Sequence, residues 1–265
     1  MRHGFSLVEL SIVLVILGLL TGGILAGQSL IRAAELRSVS TDYNRYLAAT
    51  QTFRDKYFAL PGDMTNAQSF WGVDSAGCPN GGGASGTCNG NGSGTINSTI
   101  SNQCENQEFW RHLSLAGLIE GKYTPKTTAG CFSAVTPGQD APSLRVSNSA
   151  ITISYMGPIS SNAAFPGNVI WIGNYQNLFF LGGASSTING MAGGGGMLKP
   201  EEQWNIDTKM DDGLPATGAL LSIYPGVYAP AAGTSGCVTT NVASTTAYSL
   251  TNSALTCSMV IKPGF

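Results

Sequence analysis

From Phe5 to Ile31 the chain is apolar at almost every position, with Glu9 as its one charge and no polar stripe that would mark a solvated face. A helix of about 27 such residues is long enough to cross a bilayer core of roughly 30 Å. After Ile31 the pattern turns amphipathic without a break. Leu36, Val39, Tyr43, Leu47, Thr50, Phe53 and Tyr57 recur at spacings of three and four, while Arg32, Glu35, Arg37, Asp42, Arg45, Gln51 and Lys56 fall mostly elsewhere. That periodicity predicts that the same helix leaves the apolar medium and lays one face on a globular core. The expected helix has about 54 residues, spans roughly 80 Å and stops at Pro61-Gly62. Asp63 completes the turn there, bonding its own backbone.

Beyond this helix the signals are shorter. From Gly72 to Asn102 a Gly, Ser, Asn and Thr tract reads as an exposed loop, because it has too little apolar surface to order itself. Glu105 to Leu118 reads as a short helix stopping near Gly121, with His112 on its surface. After Gly130 the period drops to two. Strand candidates are Leu144–Ser147 continuing to Ile151–Tyr155, then 168–172, Asn177–Leu181, Ala219–Tyr224 and Leu255–Ile261, separated by Gly, Asn and Pro turns. Pro200 to Pro215 reads as a helix with Pro in its first turn, running into an acidic turn. An antiparallel sheet laid on the amphipathic half of the long helix would bury both apolar faces, giving an α+β head.

Composition narrows the setting. Charged residues are 11% of the 265 and the net charge is −2, so no basic surface points to nucleic acid or anionic lipid. Abundant Gly, Ser, Thr and Asn suit a loop-rich extracellular β protein. The six cysteines all lie beyond the apolar helix, which fits an oxidising compartment. None is two to four residues from another, so zinc spacings are missing and three disulfides are expected among 15 possible connectivities. Neighbour pairing gives Cys78 with Cys88, Cys104 with Cys131, and Cys237 with Cys257. The Gly runs near 81–83 and 193–196 lack the strand–helix setting and the Gly-Lys-Ser/Thr ending of a phosphate loop.

Glu9 is the anomaly. An ionisable group inside an apolar span costs a few kcal/mol unless something pairs with it. The order in which it occurs, Met1-Arg2-His3, then Gly4-Phe5-Ser6-Leu7-Val8-Glu9-Leu10 and an unbroken apolar helix, resembles the prepilin signal of type IV pilins and type II secretion pseudopilins. The resemblance covers about the first 60 residues. It implies cleavage after Gly4 by a prepilin peptidase, methylation of the new amine on Phe5, and pairing of Glu9 with the N-terminal amine of a neighbouring subunit. Two charges that are each costly in an apolar core lower each other's cost on meeting, so such a pair specifies axial register more than it adds stability. Three other readings compete. A cleavable secretory signal has a shorter apolar core and a small-x-small site. A plain signal anchor explains neither Glu9 nor the Gly4-Phe5 junction, and a buried soluble helix is seldom apolar all round over this length. Gly22-Gly23 reads equally as a soft spot in the helix or as a site of close helix packing.

The resemblance divides the chain into a leader (1–4), a membrane or filament-core helix (5–31), its amphipathic continuation (32–60) and an extracytoplasmic head (61–265). It also likens the Cys237–Cys257 loop to the C-terminal disulfide loop of many type IV pilins. Some pseudopilins bind calcium in a C-terminal loop, and Asp207, Asp211 and Asp212 here offer oxygens. Lys209 breaks the EF-hand spacing, however, and turn formation is the plainer role. No cofactor is expected otherwise, and no catalytic residues. The expected function is therefore a structural subunit of a type IV pilus or similar filament. Its partners would be other pilin copies, prepilin peptidase, the inner-membrane assembly machinery and, before assembly, the inner membrane itself. The finished filament would lie outside the cytoplasm. The alternatives are a membrane-anchored binding or adhesion protein that does not polymerise, and a minor or tip pseudopilin of a type II secretion system.

Overall fold

The computed structural model describes residues 6–78, 82–97, 104–125, 135–159, 173–184, 195–223, 236–240 and 244–265. In chain order the elements are α1 (Leu7–Tyr57), α2 (Ala67–Trp71), α3 (Glu105–Leu115), β1 (Ser149–Ile159), β2 (Gly173–Gly183), α4 (Pro200–Met210), β3 (Leu220–Ile223) and β4 (Ser258–Ile261). The four strands form one antiparallel sheet in the order β1-β2-β4-β3. The expected α+β architecture is the one observed: a long N-terminal apolar helix whose second half packs on the sheet.

α1 runs without interruption for 51 residues. It ends earlier than expected, because Phe58 takes the left-handed conformation (φ 55°) and donates its N–H back to the Arg54 carbonyl. The buried stripe contains Val39, Tyr43, Thr50 and Phe53 as the spacing predicts, with Leu36, Leu47 and Tyr57 half-buried along its edge. Ser38, Tyr46 and Ala49 complete it, and Asp42, assigned to the outer face, is buried as well.

The inner sheet face contributes Ile151, Ile153, Phe179, Leu181, Met259 and Ile261 to the main core. Tyr43 meets Phe179 edge-on with ring centroids 5.8 Å apart, and Trp110 of α3 meets Tyr46 at 5.3 Å. Alternate residues, among them Leu178, Phe180, Leu221 and Val260, form a second buried cluster on the other sheet face, as the period of two requires.

Several boundaries differ from the sequence expectation. Leu144–Ser147 is not strand: it folds back in a turn around Asn148 (φ 52°), and the Leu144 N–H bonds the Ser149 carbonyl. The last candidate is regular strand only from Ser258, since Cys257 bridges instead to Leu198. The candidate at 168–172 lies outside the described residues, as do Gly4, Phe5, Tyr224 and Cys131. α3 stops at Leu115, before Gly121, and it is no surface helix, because every residue from Glu105 to Leu113 is buried.

Candidate assembly helix and its junction with the head

Ser6 caps α1 and its N–H donates to Oε2 of Glu9 at 2.9 Å, while the Val8 N–H donates to the Ser6 hydroxyl at 3.3 Å. This is a capping box, which satisfies orphan donors of the first turn. It turns the Glu9 carboxylate toward the start of the chain and the positive end of the helix dipole. From Leu7 to Ile31, fifteen large apolar side chains are more than half exposed. Among the polar side chains of this run, Thr21 donates to the Leu17 carbonyl at 2.9 Å and Ser29 to the Ala26 carbonyl at 2.8 Å, so they remain compatible with an apolar medium. A Cβ added at Gly18, Gly22, Gly23 or Gly27 would touch nothing, so no contact within the chain requires glycine there. The helix is long and apolar enough to cross a membrane.

A family model described as the prokaryotic N-terminal methylation motif matches residues 1–25. The chain carries a prepilin signal. The resemblance to type IV pilins and pseudopilins thus rests on a matched family as well as on the residues quoted above. No curated protein and no solved structure matches the chain. The prepilin signal and the exposed apolar helix together support membrane anchoring before assembly.

Where the apolar run ends, Arg32 fastens α1 to the head. Its Nε donates to Glu202 Oε1 at 2.7 Å and its Nη2 to Glu202 Oε2 at 2.6 Å, a bidentate pair with the first turn of α4. Nη1 reaches Glu35 at 3.0 Å and Nη2 the Met197 carbonyl at 3.3 Å. The hydrogen bond to Glu202 raises the Arg32 pKa against the opposing effect of burial. Burial pushes Glu202 upward, but the bonds from Arg32 and the Lys199 backbone outweigh it and leave the carboxylate below its usual range. Sequence reading did not find this contact, because its partners are 170 residues apart.

The Gly-rich tract is the largest correction. Its described parts, 72–78 and 82–97, are not a free loop, and 82–97 is bound by buried carboxylates that accept its backbone N–H groups. Asp63 accepts from Ser93 at 3.0 Å and Gly94 at 2.7 Å, so it does not serve its own backbone as expected. Glu105 accepts from Asn91 at 3.2 Å and Asn97 at 2.9 Å. Asp74 accepts from Gly83 at 3.0 Å and pairs with buried Arg111, whose Nη2 donates to the Gly83 carbonyl at 2.9 Å. The Thr87 hydroxyl donates to Glu108 at 2.6 Å. Ile96 is fully buried, and its N–H and carbonyl bond Asn177 and Tyr155. Burial is the main cause that raises Glu105 and Glu108 to about 7 each, against the bonds they accept.

His112, expected on a surface, is fully buried. Its Nδ1 accepts the Gly62 N–H at 2.8 Å, so Nε2 holds the proton and faces the Cys88 carbonyl at 3.2 Å. Burial lowers its pKa to about 4, so the ring is neutral and its 3.8 Å approach to Glu108 is no ion pair at neutral pH. With both nitrogens committed to backbone, this is the arrangement of a structural histidine.

Two expected disulfides are present, Cys78–Cys88 and Cys237–Cys257. Cys104 is disulfide-bonded as well, and its expected partner Cys131 lies outside the described residues. Asp207, Asp211 and Asp212 do converge, with one oxygen of each within 4.8 Å of the others. Each also accepts from the protein: Asp207 from the Tyr248 hydroxyl at 2.6 Å, Asp211 from Leu220 N–H at 2.9 Å, and Asp212 from Leu214 N–H at 2.8 Å. Burial is the first cause raising Asp207 to about 6.

Proposed function

We propose that this chain is a structural subunit of a type IV pilus or a type IV pilus-like filament, released from its leader by a prepilin peptidase and polymerised through α1. The observation that carries the reading is the fifteen exposed apolar side chains of Leu7–Ile31 on a helix continuous with a folded head. An apolar surface of that extent needs a bilayer before assembly and other subunits after it. In this reading residues 1–4 are removed, 5–31 form the filament core, 32–60 join it to the head, and 61–265 form the surface. Glu9 exchanges its internal bond with Ser6 for the Phe5 amine of a neighbour and so sets the axial register. The partners are further copies or related pilin subunits and the inner-membrane assembly machinery, and the filament lies outside the cytoplasm.

One observation favours a second reading, an anchored binding or adhesion protein that does not polymerise. The Glu9 carboxylate already has a donor within its own chain. The deciding experiment is the intact mass and N-terminal peptide of this protein in material sheared from cells. A chain beginning at methylated Phe5 in that fraction supports the filament. Retention in the membrane with residues 1–4 attached overturns it.

A further inference from the structure

A groove of about 410 Å³ runs between α1 and α4, one to three turns beyond the end of the apolar run. Leu36, Ile206 and Met210 supply its apolar lining, and Arg37, Lys209, Ser40 and Asn205 its polar lining. Among the described residues neither Arg37 nor Lys209 makes an ion pair. Three acidic groups on the neighbouring turns are engaged elsewhere. Glu35 and Glu202 are bound to Arg32, and Asp211 accepts from the backbone of β3. The groove thus combines two uncommitted cations with an apolar floor and no carboxylate in its lining, a local basic site, formed by residues far apart in the chain, that the net charge does not reveal.

Its height along α1 indicates an occupant. Leu7–Ile31 extends roughly 37 Å as a helix, enough to cross the hydrocarbon core and reach the polar zone on the far side. Ala33 to Ser40, which edge the groove, then stand at the level of the lipid headgroups and just above. Arg32, at the lowest point, is already spent on Glu202.

We propose that this groove seats an anionic phospholipid headgroup while the chain resides in the bilayer. Arg37 and Lys209 bind the phosphate, Asn205 donates to a remaining oxygen, and Leu36, Ile206 and Met210 cover the glycerol and first methylenes. The head would then be held upright on the membrane by a lipid as well as by α1. This rests on the membrane-anchored stage of the function proposed above.

The test uses the full chain reconstituted in phosphatidylcholine vesicles containing one-fifth phosphatidylglycerol. Flotation is scored first, and lipid retained after mild detergent extraction is measured by native mass spectrometry. The retained ratio of phosphatidylglycerol to phosphatidylcholine should exceed the bulk ratio, by roughly thirtyfold at most for two cations near a membrane surface. The Arg37→Gln/Lys209→Gln double variant should lose most of that enrichment, while Lys122→Gln, a charge change on an exposed residue outside the groove lining, keeps it. Flotation without enrichment, or equal retention by the two variants, overturns the lipid site and leaves membrane anchoring intact. Failure to float overturns both. In pure phosphatidylcholine vesicles, isothermal titration with inorganic phosphate should show no saturable binding. A saturable response lost in the double variant would make this a free-anion site and overturn the headgroup assignment.

Discussion

At the scale of single residues, the head depends on groups whose importance comes from their backbone partners. Gly62 has φ 80°, and a Cβ there would lie 2.2 Å from the Glu105 carbonyl oxygen at the start of α3. Gly62→Ala should lower stability by more than the roughly 1–2 kcal/mol of a left-handed alanine, since α3 must also move away. Urea unfolding of the detergent-solubilised chain checks it. The buried titratable groups oppose one another. Glu105 and Glu108, at about 7, and Asp207, at about 6, hold protons more tightly folded than unfolded, so their contribution falls as pH rises from about 4 toward 7. His112, at about 4, stays neutral when folded, so its contribution is lost as pH falls from 6.5 to 4. Three carboxyls against one imidazole place the stability optimum on the acid side of neutrality. The melting temperature should rise between pH 7.5 and about 5 and fall below about 4, as Glu202 also loses its charge.

At the scale of elements, α1 is held to the head by contacts of two kinds. Aromatic packing of Tyr43 and Tyr46 on Phe179 and Trp110 is apolar and insensitive to salt. The Arg32–Glu202 pair is partly exposed, with side-chain exposures of 30% and 13%, so its worth is limited by solvent screening. A double-mutant cycle with Arg32→Gln and Glu202→Gln should give a coupling of about 1 kcal/mol, smaller in high salt. A value that salt does not change would mean the pair is shielded from solvent. Much of α1 was legible from residue spacing, because a helix face repeats every three to four positions whatever it packs against. Tyr46 was not, since Trp110 of α3 covers it from a side that the stripe does not reveal.

At the scale of the whole molecule, the head and the apolar half of α1 are separable in consequence. Glu9→Ala removes one surface capping contact, worth about 1 kcal/mol at most to the helix, and touches nothing in the head. The melting temperature should stay within error, while recovery of the protein in the sheared fraction should fall sharply. Normal recovery would leave Glu9 with its capping role alone. The acidic turn of Asp207, Asp211 and Asp212 is braced by protein donors, so EGTA should leave the melting temperature unchanged. A drop would place calcium at the cluster and make these oxygens ligands.

The sequence alone determined the features that are local or periodic: the apolar run with its single carboxylate, the change to an amphipathic face after Ile31, and strands where apolar residues alternate. Such patterns record an environment that repeats along the chain. Tertiary structure decided what depends on pairs far apart. A carboxylate that accepts two backbone N–H groups across a fold looks, in sequence, like any surface acid, and a tract of Gly, Ser and Asn looks like a loop with nothing to order it. Asp63, Glu105 and Glu108 order that tract chiefly by hydrogen bonding, with Ile96 as its apolar anchor, and hydrogen bonds across a fold leave no period to read. His112 is buried for the same reason: its partners are the backbones of Gly62 and Cys88, 50 and 24 residues away.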